Sequence, residues 1–140
     1  MHISFIFSNN IMRKIHINND DNYATPPDFY QKLHDKYNFD FDPCPYAENE
    51  IIVDGLSIDW GKSNFVNPPY RDWQKWVKKG YEEYQKGKLV VFLIKAATDT
   101  KAFHNIILPF ADEIRFIEGR LHFDEHENPA PFPSMVVIFK

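Results

Sequence analysis

The stretch Phe65-Val66-Asn67-Pro68-Pro69-Tyr70 decides how this chain is interpreted, because a short apolar strand ends there in asparagine, two prolines and an aromatic ring. Proline has no N–H and a fixed φ, so the loop after Asn67 is stiff. Unpaired carbonyls in such a loop point outward, beside the side-chain oxygen of Asn67. Two acceptors and an aromatic face suit a planar group that carries an NH2, such as N6 of adenine. A rigid surface turn would explain two prolines alone, but the flanking Asn and Tyr favour a functional loop.

Composition limits the chain to one domain with a modest core, since it has 140 residues, of which 44% are hydrophobic and 16% aromatic. We expect residues 1–22 to form a peripheral N-terminal segment and residues 23–140 a single domain. The net charge of −4 does not by itself indicate nucleic-acid binding. The single cysteine, Cys44, favours a reducing compartment, so the cytoplasm (a host's, if the protein is viral) is the predicted location. The sequence shows neither a signal peptide nor an apolar run of membrane-spanning length, and we expect no membrane partner.

Helices and strands alternate along the predicted domain. Thr25 is predicted to cap a first helix with Pro26 as its first residue, and residues 39–42 are predicted to form a short strand. A second helix over about residues 71–86 turns Trp73 and Trp76 inward, with Glu82 and Glu83 among the charged residues of its outer face. The continuous apolar run over residues 89–94 is typical of a strand covered on both sides.

A helix capped at residues 98–100 and two strands, around residues 114–118 and 134–139, complete the chain. This order predicts an α/β fold with a mostly parallel sheet and an antiparallel C-terminal strand. Ligands of such sheets bind at the carboxyl ends of the strands, so Asp42, Asn67 and residues 95–99 should converge on one edge.

With these residues identified, the chain resembles the phage-type DNA N6-adenine methyltransferases, which belong to the Rossmann-like enzymes that use S-adenosylmethionine. The resemblance covers residues 23–140 and rests on these segments, in order: Thr25-Pro26, Phe39-Asp40-Phe41-Asp42-Pro43-Cys44 with Asn49, Asp54-Gly55-Leu56 with Trp60, Asn67-Pro68-Pro69-Tyr70, Thr98-Asp99-Thr100 with Phe103-His104, Glu113-Ile114-Arg115-Phe116-Ile117, Gly119-Arg120-Leu121 and Ala130-Pro131-Phe132-Pro133-Ser134. It implies a shortened Rossmann-like sheet, because only about twenty residues separate the first strand from Asn67, too few for two further βα units. The glycine-rich loop usual after the first strand is replaced by Asp42-Pro43-Cys44-Pro45.

The resemblance also implies an activity and a set of site residues. The activity is transfer of a methyl group from S-adenosylmethionine to N6 of adenine in DNA. The catalytic residues implied are Asn67, Pro68, Pro69 and Tyr70. The residues implied for the cofactor are Thr25, Asp42, Pro43, Cys44, Asn49 and Asp54. Candidates for DNA contact are Arg71, Lys75, Lys95 and Arg120. The partners implied are DNA with an adenine flipped out of the duplex and, as an option, a second copy of the chain in a homodimer.

Two other readings of the same residues stay open at this point. The first keeps the cofactor and changes the acceptor to an RNA adenine or to the side-chain amide of a protein glutamine. The second is an inactive methyltransferase fold that serves as a binding module, for which the missing glycine-rich loop is the argument. The histidines, among them His104 and His122, lack ligand spacing with a third partner, so no metal is predicted.

Overall fold

The structure is a computed structural model that describes residues 15–16, 23–45, 50–51, 54–122 and 129–140. Asn49, predicted to contact the cofactor, lies outside the described residues, as does most of the predicted segment 1–22. The strands are β1 (Ile15–His16), β2 (Glu50–Ile51), β3 (Ser63–Val66), β4 (Leu89–Lys95), β5 (Glu113–Phe116) and β6 (Ser134–Phe139). The helices are α1 (Pro27–Tyr37), α2 (Trp73–Gln85) and α3 (Leu108–Phe110), together with a 3-10 helix (Gly55–Ser57) and a π-helical turn (Phe103–Ile107) that runs into α3.

The fold is α/β, as predicted, and its centre is a four-stranded mixed sheet in the order β3-β4-β6-β5. Strand β3 is parallel to β4, whereas β6 is antiparallel to both of its neighbours, β4 and β5. The antiparallel C-terminal strand is therefore confirmed, whereas the prediction of a mostly parallel sheet is wrong, because two of the three ladders of this sheet are antiparallel. Strands β3, β4 and β5 run in one direction, but β6 lies between β4 and β5, so only the β3–β4 ladder of this sheet is parallel. A separate antiparallel pair joins β1 to β2.

Both faces of this sheet are covered, which explains the unbroken apolar run of β4. On one face, Val90, Phe92 and Ile94 pack with residues of α2 that include Trp73 and Trp76. On the other face, Val91 and Leu93 pack with Phe65 and with Leu33 of α1. Because side chains of a strand alternate between faces, β4 supplies both cores and is apolar at every position from 89 to 94. The inward orientation predicted for the two tryptophans is confirmed.

The predicted first strand, residues 39–42, is reduced to a single parallel bridge between Phe41 and Asn64. The bridge places Phe41 beside β3, with the same direction as β3 and β4. Pro43 follows two residues later and has no N–H to extend the ladder, which accounts for the shortness of the pairing. The carboxyl end of this segment nevertheless lies next to that of β3, as the topology requires.

The outer-face position predicted for Glu83 is wrong: its side chain is fully buried on α2. Its carboxylate accepts hydrogen bonds from the backbone N–H of Trp60 at 2.7 Å and from Lys86 and Lys88 at 2.6 Å each, and Lys79 lies 3.3 Å away. Burial raises the pKa of this carboxyl, but the hydrogen bonds outweigh burial and lower the pKa to about 2. Glu83 therefore ties α2 to the segment that leads into β3, and these three lysines neutralise it.

Candidate active site

An open cleft lies where the carboxyl ends of β3 and β4 meet the start of β6. Its empty space, counting the open mouth, is about 330 Å³. Its wall includes Asn67, Tyr70, Lys95, Phe132 and Ser134. The predicted convergence of Asn67 and Lys95 on one edge is confirmed.

Asn67 reaches this cleft with a side-chain amide of defined orientation. Its Nδ2 donates to the backbone carbonyl of Tyr23 at 2.7 Å and to the hydroxyl of Thr25 at 2.9 Å. A carbonyl can only accept a hydrogen bond, so the NH2 group must face Tyr23 and Oδ1 must point the other way. Within the described part of the chain, no donor is bonded to Oδ1. The oxygen of Asn67 is therefore an available acceptor.

Thr25 does not cap α1, contrary to the sequence-based prediction. The cap position is occupied by Pro26, Pro27 is the first helical residue, and no side chain caps the helix. Two consecutive prolines shift the start by one residue, since either can occupy a first-turn position. The hydroxyl of Thr25 instead holds Asn67, which lies 42 positions later in the chain.

The two prolines of the loop are buried and use their carbonyls differently. The carbonyl of Pro69 accepts the N–H of Asp72 at 3.3 Å and so belongs to the turn that starts α2. The carbonyl of Pro68 receives no hydrogen bond from any residue that the structure describes. Asn67 Oδ1 and the Pro68 carbonyl are thus two adjacent acceptors without donors, as the sequence predicted for this strand end.

Tyr70 is half-buried and is covered by two neighbours. The ring of Phe132 lies 4.5 Å from that of Tyr70, centroid to centroid, with the ring planes tilted by 36°. The ammonium of Lys95 lies 4.2 Å from the Tyr70 ring centroid and 5.8 Å from that of Trp73. Lys95, predicted to contact DNA, is thus placed inside the cleft. Cation–π contacts of this kind contribute about 0.5–1 kcal/mol at accessible sites.

Ser134 is a cleft residue to which sequence analysis assigned no role. Its side chain is 2% exposed, and its hydroxyl has no hydrogen-bond partner among the described residues. It is the first residue of β6 and pairs with Lys95 across the sheet. The only signal in the sequence was its place at the end of the Pro-rich segment 129–133.

Of the described residues predicted for the cofactor, Thr25 is bonded to the cleft residue Asn67, whereas Asp42, Pro43, Cys44 and Asp54 do not line the cleft. Asp42, Pro43 and Cys44 are buried. Asp42 accepts the N–H of Cys44 at 2.9 Å, but burial outweighs this bond and raises the pKa of the carboxyl to about 7. Asp54 caps the 3-10 helix by accepting the N–H of Leu56 at 3.1 Å.

Three predicted DNA-contacting residues occupy exposed positions outside the cleft wall. Arg71 follows the Asn67–Tyr70 loop directly, and Lys75 lies 3.7 Å from Asp72 on the first turn of α2. Arg120 donates to the backbone carbonyl of Ala130 at 3.1 Å and so supports the Pro-rich segment. The described residues contain no group of three or more His, Cys, Asp or Glu side chains arranged to hold a metal ion.

A comparison with family models identifies the family to which the chain belongs. The model described as DNA N-6-adenine-methyltransferase (Dam) matches residues 13–140, which is most of the chain. The chain belongs to this family. The resemblance to N6-adenine methyltransferases is thereby confirmed, and the protein is a DNA adenine-N6 methyltransferase.

Membership of this family also indicates the substrate and the methyl donor. It makes DNA the substrate in preference to RNA or a protein amide, and it implies S-adenosylmethionine as the methyl donor in general. No curated protein and no solved structure matches the chain, so the roles of individual residues depend on the geometry described above. Of the described helices, none has the length and apolar character needed to cross a membrane.

Proposed function

We propose that the enzyme holds the target adenine in the cleft between β3 and β4, with its amino group bonded to Asn67 Oδ1 and the Pro68 carbonyl. The observation that carries this proposal is the orientation of the Asn67 amide. Because Tyr23 and Thr25 take both hydrogen bonds of the NH2 group, the oxygen is directed away from them. An adenine amino group offers two N–H donors, which match the two available acceptors.

The chemical purpose of this arrangement is to prepare a weak nucleophile. The lone pair of the adenine amino nitrogen is delocalised into the ring. Two acceptors that hold its hydrogens favour a more tetrahedral nitrogen, whose lone pair then points to one side. Holding two reactants in a productive orientation can contribute roughly 7–11 kcal/mol to catalysis. Asn67, Pro68 and Pro69 therefore act by placement, and the proton of the amino group is lost after transfer without a dedicated base.

Tyr70 is proposed as the stacking surface for the extruded base. Flipping a base from the duplex costs a few kcal/mol, and stacking on an aromatic ring returns about 1–3 kcal/mol. Phe132 and Lys95 now lie against Tyr70, so the base must displace at least one of them or stack beside them. The flexible side chain of Lys95 can move at little cost, and its charge then remains available to DNA.

We place S-adenosylmethionine beside the cleft, where the carboxyl end of the Phe41 segment meets that of β3. The fit rests on two buried polar groups with unused hydrogen-bonding capacity. The Tyr30 hydroxyl has no partner within the described residues, and Asp42 accepts only the Cys44 N–H there. A carboxyl with a pKa of about 7 can accept or donate, which suits the hydroxyl and amino groups of the cofactor. When bound, this cofactor supplies a methyl group on a sulfonium centre.

We also propose roles for the other residues predicted from the sequence. Pro43, Cys44, Asn49 and Asp54 border the cofactor, and Arg71, Lys75 and Arg120 contact DNA phosphates. The sheet is a shortened Rossmann-like sheet, since a mixed sheet with β6 inserted beside β4 fits that architecture. A homodimer would enlarge the DNA-binding surface of so small a chain, and the enzyme acts in the cytoplasm.

The test is methyl transfer from labelled S-adenosylmethionine to adenine-containing DNA, with the product digested to nucleosides. We expect label in N6-methyl-2′-deoxyadenosine for the unaltered enzyme and none above background for Asn67→Ala. Calorimetry should show cofactor affinity within a few-fold of the unaltered enzyme for the same variant. Asn105→Ala, an exposed asparagine of the π-helical turn, is the matched control and should keep full activity. Substantial activity in Asn67→Ala would disprove the assigned role.

A further inference from the structure

We infer that Ser134 binds the target adenine through a ring nitrogen next to the amino group, and is a base-positioning residue of this enzyme. The inference rests on the proposed placement of the amino group at Asn67. It starts from an anomaly: a hydroxyl that is almost completely buried has no hydrogen-bond partner among the described residues, yet it lines the cleft. Leaving such a group unpaired costs free energy, so a ligand that pairs with it gains affinity.

The sheet register places Ser134 on the same face as Asn67. Val66 pairs with Phe92, so Asn67 is level with Leu93, and Ser134 pairs with Lys95, two residues further along β4. Side chains two residues apart on a strand share a face. Leu93 and Phe65 belong to one core, and the side chains of Asn67 and Ser134 continue that face at the open edge of the sheet.

The separation of these two residues suits a purine. Asn67 directly follows β3 and Ser134 begins β6, with β4 between them, so their backbones are roughly 10 Å apart across the strands and roughly 7 Å apart along them. Both residues line the cleft. In the proposed placement, adenine is held at Asn67 by its amino group. The ring nitrogens beside that amino group then face Ser134.

The chemistry of the adenine edge completes the match. N1 and N7 flank the amino group, and both are acceptors without hydrogen, whereas the serine hydroxyl can donate. The donor at Ser134 and the acceptors at Asn67 and Pro68 are then complementary to three neighbouring atoms of adenine. A base with an oxygen in place of the amino group, such as guanine, presents the wrong partner to the Asn67 oxygen.

The experiment compares Ser134→Ala with the unaltered enzyme on DNA in which every adenine is replaced by 7-deazaadenine or by 1-deazaadenine. On normal DNA we expect kcat/KM of Ser134→Ala to fall roughly 3- to 10-fold. One of the two analogues should reduce kcat/KM of the unaltered enzyme by a similar factor. That same analogue should cause no further loss in Ser134→Ala, because the hydrogen bond is already absent.

Two controls separate this role from a structural one. Ser57→Ala removes an exposed serine hydroxyl of the 3-10 helix and should leave kcat/KM and both analogue effects unchanged. Removing an unpaired buried hydroxyl should leave the unfolding temperature of Ser134→Ala unchanged or raised. The inference fails if Ser134→Ala has normal kcat/KM, or if both adenine analogues still reduce kcat/KM in Ser134→Ala as they do in the unaltered enzyme. The proposed function is tested separately by Asn67→Ala. If Asn67→Ala is active, the proposed function itself fails.

Discussion

Asp42 makes the stability of this enzyme depend on pH in an unusual direction. Its carboxyl is 5% exposed, and burial raises the pKa from 3.8 to about 7 in the folded chain. Between these two values the folded state binds a proton that the unfolded state has released. The free energy of unfolding must therefore fall as the pH rises through this range, and it levels off above about pH 7.

The size of the effect follows from the shift. Each pKa unit corresponds to 1.36 kcal/mol, so a shift of about three units is worth about 4 kcal/mol over the whole range. Glu83 has the opposite effect on stability at low pH. Its pKa in the folded chain is about 2, below its ordinary value, so the stability that it provides is lost as acid protonates it. Measuring only between about pH 5 and pH 8 avoids that region and leaves about 3 kcal/mol attributable to Asp42.

The perturbation is Asp42→Asn, which removes the titration and keeps an oxygen that can accept the Cys44 N–H. Urea unfolding followed by tryptophan fluorescence gives the free energy of unfolding at each pH. We expect the variant to match the unaltered enzyme within about 1 kcal/mol near pH 5 and to exceed it by about 3 kcal/mol near pH 8. Asp99→Asn, at an exposed position, should show no such pH-dependent gain. A difference between Asp42→Asn and the unaltered enzyme that is the same at every pH would refute the reasoning.

Two further predictions concern residues that the structure ties to distant partners. Glu83→Gln should lower the free energy of unfolding by about 3 kcal/mol, because Lys79, Lys86 and Lys88 lose the buried carboxylate that they share, whereas the exposed neighbour Glu82→Gln should change it by less than about 0.5 kcal/mol. Thr25→Val should reduce kcat/KM for DNA roughly 3- to 10-fold, since the Asn67 amide keeps one partner instead of two; Thr98→Val, at an exposed threonine, is the control. These expectations would be contradicted if Glu83→Gln were as stable as the unaltered enzyme in urea titrations, or if Thr25→Val were fully active in the labelled-methyl assay.

The strand end at Asn67 was predictable from sequence because its chemistry is local. Two prolines bring no N–H donor to the loop, which favours an unpaired acceptor there, and the preceding apolar pair indicates a strand. The helix over Trp73 and Trp76 was predictable for a similar reason, since helical spacing alone puts both rings on one face. The parallel pairing of β3 with β4 followed from the intervening helix.

The rest depended on contacts between residues far apart in sequence. Glu83 lies between lysines on α2 and looks like part of a solvated face, but its carboxylate is engaged by Trp60, 23 residues earlier. Thr25 has the sequence features of a helix cap and is instead bonded to Asn67. The sheet register pairs Ser134 with Lys95 at the cleft, where the serine hydroxyl has no hydrogen-bond partner among the described residues. No local pattern encodes these three facts.

Under the proposed function, the hydrogen bond between Asn67 and the backbone of Tyr23 makes the segment before α1 part of the catalytic apparatus. Shortening the chain beyond Thr25 would leave α1 and the sheet nominally complete but would free the amide to rotate. Its NH2 group could then face the substrate amino group and repel it. Any minimal version of this enzyme must therefore begin before Tyr23, even though its first regular helix starts at Pro27.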